Sequence, residues 1–228
     1  MRNRNRCFRC RTPLSASGGS WPVPGLIDYW KLEEDSGSRA DSIGAHPLLV
    51  VGNDGPSVSG VHNEAWLFSS TDGYLQTAAF QEPDSYSLSF WLAANTDDLN
   101  PGDEIEILIK AGLGFSFDFH VQAVSNGVAK ARWYVGVSPI PLESGPYTVG
   151  PFHLFIVTFD GATSQLSVDG GTFGSTSAAN LPDPTSSITV WDGISNHPFI
   201  IDEIALYNRA LTQTDVGILW AGGFGIFL

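Results

Sequence analysis

Tyr86-Ser87-Leu88-Ser89-Phe90-Trp91-Leu92-Ala93 decides the fold class. Laid out as an extended chain, Tyr86, Leu88, Phe90 and Leu92 fall on one face, and the serines fall on the other. A period of two sustained over eight residues is a strand pattern, because a helix would repeat its apolar positions at spacings of three and four. The pattern recurs downstream. Residues 105–110 continue it, and in 115–121 Phe115, Phe117, Phe119 and Val121 oppose Ser116, Asp118 and His120. Residues 129–137 follow, centred on Trp133. The nearly continuous apolar run 153–159 stops at Asp160-Gly161, and 165–168 turns back before Asp169-Gly170-Gly171. A strand, an Asp-Gly pair and a second strand make a hairpin cue. Upstream, 26–32, 47–51, 65–68 and 73–77 have strand character, with Ser69-Ser70-Thr71-Asp72-Gly73 as the turn between the last two. In 26–32, a strict period of two puts Ile27, Tyr29 and Lys31 on one side, and Leu26, Asp28, Trp30 and Leu32 on the other. Residues 187–191 and 200–207 complete the set.

One segment has helical spacing. Thr212 stands where it can cap, Asp215 takes the capping-box position, and Val216, Leu219 and Trp220 share a face. Gly222-Gly223 ends it. Phe224, Ile226, Phe227 and Leu228 form an apolar tail, expected to tuck into a groove of its own body or dock on a partner. About a dozen short strands with one short helix predict an all-β fold: two antiparallel sheets packed as a jelly-roll sandwich, with the helix near the C-terminus. A chain of 228 residues fits one such unit, since all-β sandwiches run to about 200–250 residues. The 25 glycines and 14 prolines supply its turns.

Residues 1–20 read as a basic arm and linker, and 21–228 as the domain. Arg2, Arg4, Arg6, Arg9 and Arg11 carry the arm's charge, while the body holds six Lys and Arg against 24 acids, a net of −18. So acidic a body repels nucleic acid and anionic membrane. The arm could bind a neighbouring copy or another anionic partner, or be a solvated tail. Cys7 and Cys10 lie in the arm, so the core uses no disulfide. One C-x-x-C supplies two ligands where structural zinc takes four, leaving a local disulfide or two free thiols as the expectation. No apolar run follows the basic start as in a secretory signal, and no stretch approaches the roughly 20 apolar residues of a membrane helix.

The chain resembles the LamG-like, or concanavalin A-like lectin/glucanase, jelly-roll family over about residues 25–222. Four segments carry the resemblance: Tyr29-Trp30-Lys31-Leu32-Glu33-Glu34-Asp35-Ser36-Gly37 with Ala40-Asp41-Ser42-Ile43-Gly44; Ala65-Trp66-Leu67-Phe68 through Tyr86-Ser87-Leu88-Ser89-Phe90-Trp91; His153 through Gly170; and Ile201-Asp202-Glu203-Ile204-Ala205-Leu206-Tyr207-Asn208-Arg209-Ala210-Leu211. Phe152 stands where the family has Trp, Leu154 where it has a second His, and Asp41-Ser42-Ile43-Gly44-Ala45-His46 replaces its usual opening loop. The resemblance implies that Trp30, Trp66, Trp91 and Trp220 belong to the core and that His153 is structural. It also implies a calcium site. Asp35 and Asp41 lie on the loop after the first strand, and Asp202 and Glu203 open a last strand that runs close to the first in this family. Four acids at one edge would repel unless a cation or an arginine neutralised them. The alternative is that Asp202 caps amides of the opening loop, or pairs with Arg39 or Arg209.

Catalysis has little support. Retaining glucanases need two carboxyls about 5–5.5 Å apart, and the nearest string, Asp103-Glu104-Ile105-Glu106, is expected at a strand mouth as an exposed acidic edge. His46, His62, His120, His153 and His197 sit in no nucleophile motif. For sugar binding, Trp21, Trp133, Tyr134, Tyr147 and Trp191 are the aromatic platforms to consider. The expected function is a non-catalytic surface protein of a larger assembly, such as a bacteriophage capsid decoration or adhesion protein. It would be held by its arm to a capsid protein or neighbouring subunit, be homo-oligomeric, and be found on the virion or outside the cell after release. The alternative is a carbohydrate-binding module that takes a surface glycan; a glycoside hydrolase ranks last.

Overall fold

The stretch at 86–93 becomes a strand buried along its whole length, on both faces. The structure is a computed structural model that describes residues 21–69, 73–94, 99–110, 117–136, 141–177, 185–191, 197–223 and Gly225. The arginines of the arm, Cys7, Cys10, Phe115 and the tail residues Phe224, Ile226, Phe227 and Leu228 lie outside these. In chain order the strands are β1 (Leu26–Trp30), β2 (Leu49–Val51), β3 (Ser57–Ser59), β4 (Glu64–Phe68), β5 (Tyr74–Gln76), β6 (Tyr86–Ala94), β7 (Glu104–Lys110), β8 (Phe117–Ser125), β9 (Val128–Val135), β10 (Leu142–Glu143), β11 (Tyr147–Thr148), β12 (His153–Phe159), β13 (Thr163–Val168), β14 (Gly174–Ser177), β15 (Thr189–Val190) and β16 (Phe199–Tyr207). They are followed by helix α1 (Gln213–Trp220).

Two antiparallel eight-stranded sheets result. The first runs β14-β13-β12-β6-β16-β4-β3, with β1 also on β16, and the second runs β10-β9-β8-β7-β15-β5-β2, with β11 also on β9. The jelly-roll sandwich expected from the alternation is therefore the fold. Its core is aromatic. Phe90 of β6 meets Phe119 of β8 edge-on at 4.9 Å and stacks on Phe155 of β12 at 5.8 Å, so one ring ties the two sheets together. Tyr86 bridges in the same way to Phe117 and Phe159. Such ring pairs add about 0.5–1.5 kcal/mol each beyond the area they bury.

The two outer faces differ. A second apolar layer covers the first sheet, where Val23, Tyr29, Trp91, Ala205 and Tyr207 pack with Val216 and Leu219 of α1. That explains why Ser87, Ser89 and Trp91 are buried although they point away from the inter-sheet core. The helix is started by the expected capping box, with the Thr212 hydroxyl accepting from the Asp215 amide and the Asp215 carboxylate accepting from the Thr212 amide. The second sheet shows its polar side chains on β8 and β9 half-buried, with no apolar layer over them among the described residues.

Two bulges redirect side chains that strict alternation would place elsewhere. The register of β1 on β16 shifts between Leu26 and Asp28. Leu26 consequently packs with the outer layer and Ile27 with the inner core, the reverse of a period-two assignment. In β7 the register shifts between Glu106 and Leu108, and Lys110 turns inward to pair with buried Glu82 at 2.9 Å. A fully buried lysine stands only with such a partner, because an unpaired buried charge costs several kcal/mol. β7 is also an interior strand, flanked by β8 and β15. β15 reaches only Leu108 and Ile109 of β7, so Glu104 and Glu106 stand at the mouth of the strand, as expected, with half-buried side chains. None of the described helices is long and apolar enough to cross a membrane.

The Phe90 contacts set a stability expectation. Phe90→Ala should lower the unfolding free energy by about 3–5 kcal/mol, read from urea denaturation curves. A loss below about 1 kcal/mol would mean that the ring does not hold the sheets together.

Candidate functional site

Three arrangements of polar side chains stand out. The first locks the opening loop. The Asp41 Oδ1 accepts hydrogen bonds from the amides of Tyr29 at 3.0 Å, Ile43 at 3.1 Å and Gly44 at 2.8 Å, and Oδ2 accepts from the His46 amide at 3.0 Å. Beside it, buried Asp28 meets His46 Nδ1 at 2.8 Å. A Cβ on Gly44 would come within 2.1 Å of the Asp28 Oδ1, so the loop closes this tightly only with glycine there. Burial pushes the Asp41 carboxyl up, but the hydrogen bonds from Asp28 and the backbone outweigh it and hold the group at about 2. Burial and the Asp41 hydrogen bond raise Asp28 to about 6 against the pull of His46.

The second arrangement arises where β16 changes partners. Residues 199–201 of β16 pair with β4, and residues 204–207 pair with β1. Asp202 and Glu203 fall in between, at an irregularity in the pairing with β6. Both are buried, and Glu203 takes the left-handed conformation at φ 54°. The β3–β4 turn fills the gap. The Asp202 Oδ2 accepts from the amides of Val61 at 2.8 Å and His62 at 3.4 Å. The Glu203 Oε2 accepts from the Tyr29 hydroxyl. His62 Nδ1 lies 3.3 Å from the Glu33 Oε1 and 3.7 Å from the Glu203 Oε1. Burial raises Asp202 to about 7 against its backbone hydrogen bonds. Burial also raises Glu203 to about 8 against the Tyr29 hydrogen bond, with Asp202 and Glu33 adding to the rise.

The third arrangement is the open face of the second sheet and the groove at its margin. Glu106, His120, Arg132 and Glu143 face one another in register across β7, β8, β9 and β10. Arg132 pairs with Glu104 and, at 3.1 Å, with Glu143. His120 lies 2.7 Å from Asp118 and 3.1 Å from Glu104. Tyr134 stands edge-on to His120 with the Arg132 guanidinium over its ring. Beyond Glu143 a groove of about 550 Å³ opens between residues 143–147 and 166–174, with Tyr147 and Phe173 as its aromatic walls and Ser144 and Asp169 as polar groups. Asp169 is held by His153 Nδ1 at 2.6 Å, while His153 Nε2 reaches the Thr148 carbonyl at 2.7 Å. His153 is therefore a strut of the groove wall.

The four acids expected to hold calcium do not converge. Asp35 is exposed on its loop, Asp41 serves the loop amides, and Asp202 and Glu203 share the β16 gap. Asp202 caps amides, as one alternative has it, but those of the β3–β4 turn; Arg39 pairs with Asp54 and Arg209 with Asp215. Calcium takes six to eight oxygens. The gap instead brings an imidazole, His62, to two carboxylates, Glu33 and Glu203, so the donor set does not match an all-oxygen calcium cage. Glu33 and His62 carried no local signal, because about 140 residues separate the turn from β16. Among the expected platforms, Trp133 and Trp191 are core, while Tyr134, Tyr147 and Trp21 retain some exposure.

The family model described as the concanavalin A-like lectin/glucanases superfamily matches residues 68–217. No curated protein matches the chain. Among solved structures, the receptor binding domain of botulinum neurotoxin D is similar at 14% identity and a TM-score of 0.64, covering 87% of this chain and 52% of that one. The binding domain of Paraclostridial Mosquitocidal Protein 1 gives the same figures. Trypanosoma rangeli sialidase in complex with sialic acid is similar at 13% identity and a TM-score of 0.66, covering 92% of this chain and 35% of that one. The chain thus spans about half or less of the solved chains it matches, and the likeness is one of fold.

The opening-loop lock predicts an acid limit. Asp41 is depressed, so its contribution is present above its ordinary value of about 4 and is lost as pH falls through 2. Asp28 is raised, so its contribution is present below about 4 and is lost as pH rises through 6. Asp41→Ala should cost on the order of 2 kcal/mol at pH 7 and should flatten the loss of stability between pH 4 and pH 2, as followed by thermal unfolding. An unchanged acid limb in that variant would contradict the assignment.

Proposed function

The chain belongs to the concanavalin A-like lectin/glucanase superfamily, and from that membership we propose that it is a non-catalytic binding domain that takes a glycan in the groove beside the second sheet. One observation carries this reading. The groove of about 550 Å³ joins aromatic walls, Tyr147 and Phe173, to hydrogen-bonding groups, Ser144, Asp169 and Glu143. Its volume lies within the range of about 300–1,000 Å³ usual for small-molecule sites, and a sugar ring asks for that mix of an apolar platform and fixed polar partners. The adjoining polar face, with Tyr134 and Arg132, extends the surface for a longer oligosaccharide. The similar solved domains, a toxin receptor-binding domain and a sialidase bound to sialic acid, support the reading by analogy of fold only.

The non-catalytic part of this reading is supported by how the carboxylates on the open face of the second sheet are occupied. Glu104 is held by Arg132 and Gln122, Asp118 and Glu106 flank His120, and Glu143 is held by Lys130 and Arg132. A glycosidase needs one carboxyl free to give a proton and a second facing the sugar.

A second reading concerns attachment. Five arginines precede a body of strong negative charge, and that asymmetry favours docking of the arm on an acidic neighbour, a second copy or the surface of an assembly such as a virion.

Gly145 offers a clean test of the groove. A Cβ there would meet nothing within 4 Å, and its backbone does not need glycine. Gly145→Trp should fill the groove, leave the melting temperature unchanged and reduce signal on a glycan array at least ten-fold. Unchanged glycan binding would remove the groove as the site. Deleting residues 1–20 should convert a trimer or larger species into a monomer by light scattering without altering glycan binding. A monomer in both forms would remove self-association through the arm.

A further inference from the structure

We propose that Glu33, His62 and Glu203 form a binding site for a divalent transition-metal ion of the zinc class. One ligand atom from each of the three lies within 4.8 Å of the others. Their closest separations, 3.3 Å from His62 Nδ1 to the Glu33 Oε1 and 3.7 Å to the Glu203 Oε1, suit a tetrahedral ion. Bonds of about 2.0–2.1 Å to nitrogen and oxygen place neighbouring ligands about 3.3 Å apart. One imidazole and two carboxylates, with a coordination position left open, make a donor set for zinc, manganese, cobalt or nickel. Calcium prefers oxygen alone and more of it.

A second observation points to a ligand independently of the cluster. The Glu203 side chain is 3% exposed, and its Oε1, the oxygen turned to His62, accepts no hydrogen bond; the Asp202 Oδ1, also buried, accepts none either. Buried carboxylate oxygens are normally satisfied, since each one left bare costs on the order of 1–3 kcal/mol. Among the described residues no hydrogen bond reaches the Glu203 Oε1, although the Lys31 charge nearby favours the ionised form of Glu203. The Tyr29 hydroxyl is spent on the other Glu203 oxygen, and Asn63 Nδ2 donates at 2.6 Å to the Glu33 Oε1. A cation on Glu203 Oε1 would satisfy it and offset the charge of three neighbouring carboxylates, Glu33, Asp202 and Glu203. The backbone is also held in place around the ligands. Leu32, Asn63 and Glu203 itself are all left-handed non-glycine residues, and such strained positions gather where a ligand is gripped.

The groove reading is not needed for this site, so the two stand or fall separately. The test is a titration of the full chain, stripped with a chelator, with Zn2+ by calorimetry and with Co2+ by visible absorption. One ion per chain is expected, with little displacement by a hundred-fold excess of Ca2+. His62→Ala, at a partly exposed turn position, should weaken binding at least ten-fold with the fold intact. Glu203→Gln should do the same, and His120→Ala, in the separate cluster on the second sheet, should bind as the parent does. No uptake of either ion, displacement by equimolar Ca2+, or unchanged binding in His62→Ala would each overturn the proposal, as would loss in His120→Ala alone.

Discussion

Strand β16 must satisfy more neighbours than one straight strand can. β6 lies along one of its edges, while the other edge is divided between β4 and β1. Two strands that pair end to end along one edge leave a gap between them, and the gap falls at Asp202 and Glu203. Backbone amides and carbonyls at such a gap need partners from elsewhere, since buried backbone groups are almost always paired. The β3–β4 turn is drawn in to fill the space. Gly60 lets it approach so closely that a Cβ there would sit 2.3 Å from the Asp202 Oδ2. The carboxylates, the histidine and the left-handed residues of this corner all follow from the changeover.

The same division of labour separates the two faces of the sandwich. The first sheet carries α1 and the segment around Val23 and Tyr29, so its central strands are buried on both sides and hold no free surface. The second sheet keeps strict alternation on β8 and β9. Phe117, Phe119 and Val121 enter the core while Asp118, His120 and Gln122 stay outside. A polar face in register and a groove at its margin are what remain for a partner. The open polar face thus lies on the second sheet, while α1 and the segment around Val23 pack on the first.

Long strands made the architecture legible, because a sustained alternation or apolar run gives its signal many times. β6, β8, β12 and β16 could all be read from the sequence. β3, β10, β11 and β14 could not: they are two to four residues long, and a run such as Ser57-Val58-Ser59 has too few positions to declare a period. Ile27 and Lys110 were misplaced or unplaced because a one-residue bulge inverts every side chain after it, and a bulge leaves no compositional mark here. The platforms divided for a similar reason. Trp133 and Tyr134 are neighbours in sequence, yet one is core and the other faces outward, and only the register decides which. The acids of the β16 gap were legible as a family signature, but their partners were not. His62 and Glu33 reach Glu203 through the fold, with no spacing in the chain to announce them.

Two adjacent buried acids need a physical reason to persist. A leucine at either position would avoid the cost of desolvating a charge. Replacement, however, would leave the Val61 and His62 amides without the acceptor that Asp202 gives them, and the Tyr29 hydroxyl without Glu203. Each acid has one oxygen committed to holding the corner together, and each leaves a second oxygen buried and bare. A purely structural pair would be expected to use all four oxygens, as Asp41 uses both of its own on the loop amides nearby. Asp28, beside Asp41, keeps one buried oxygen bare in the same way, but at the β16 gap both of two consecutive acids do so.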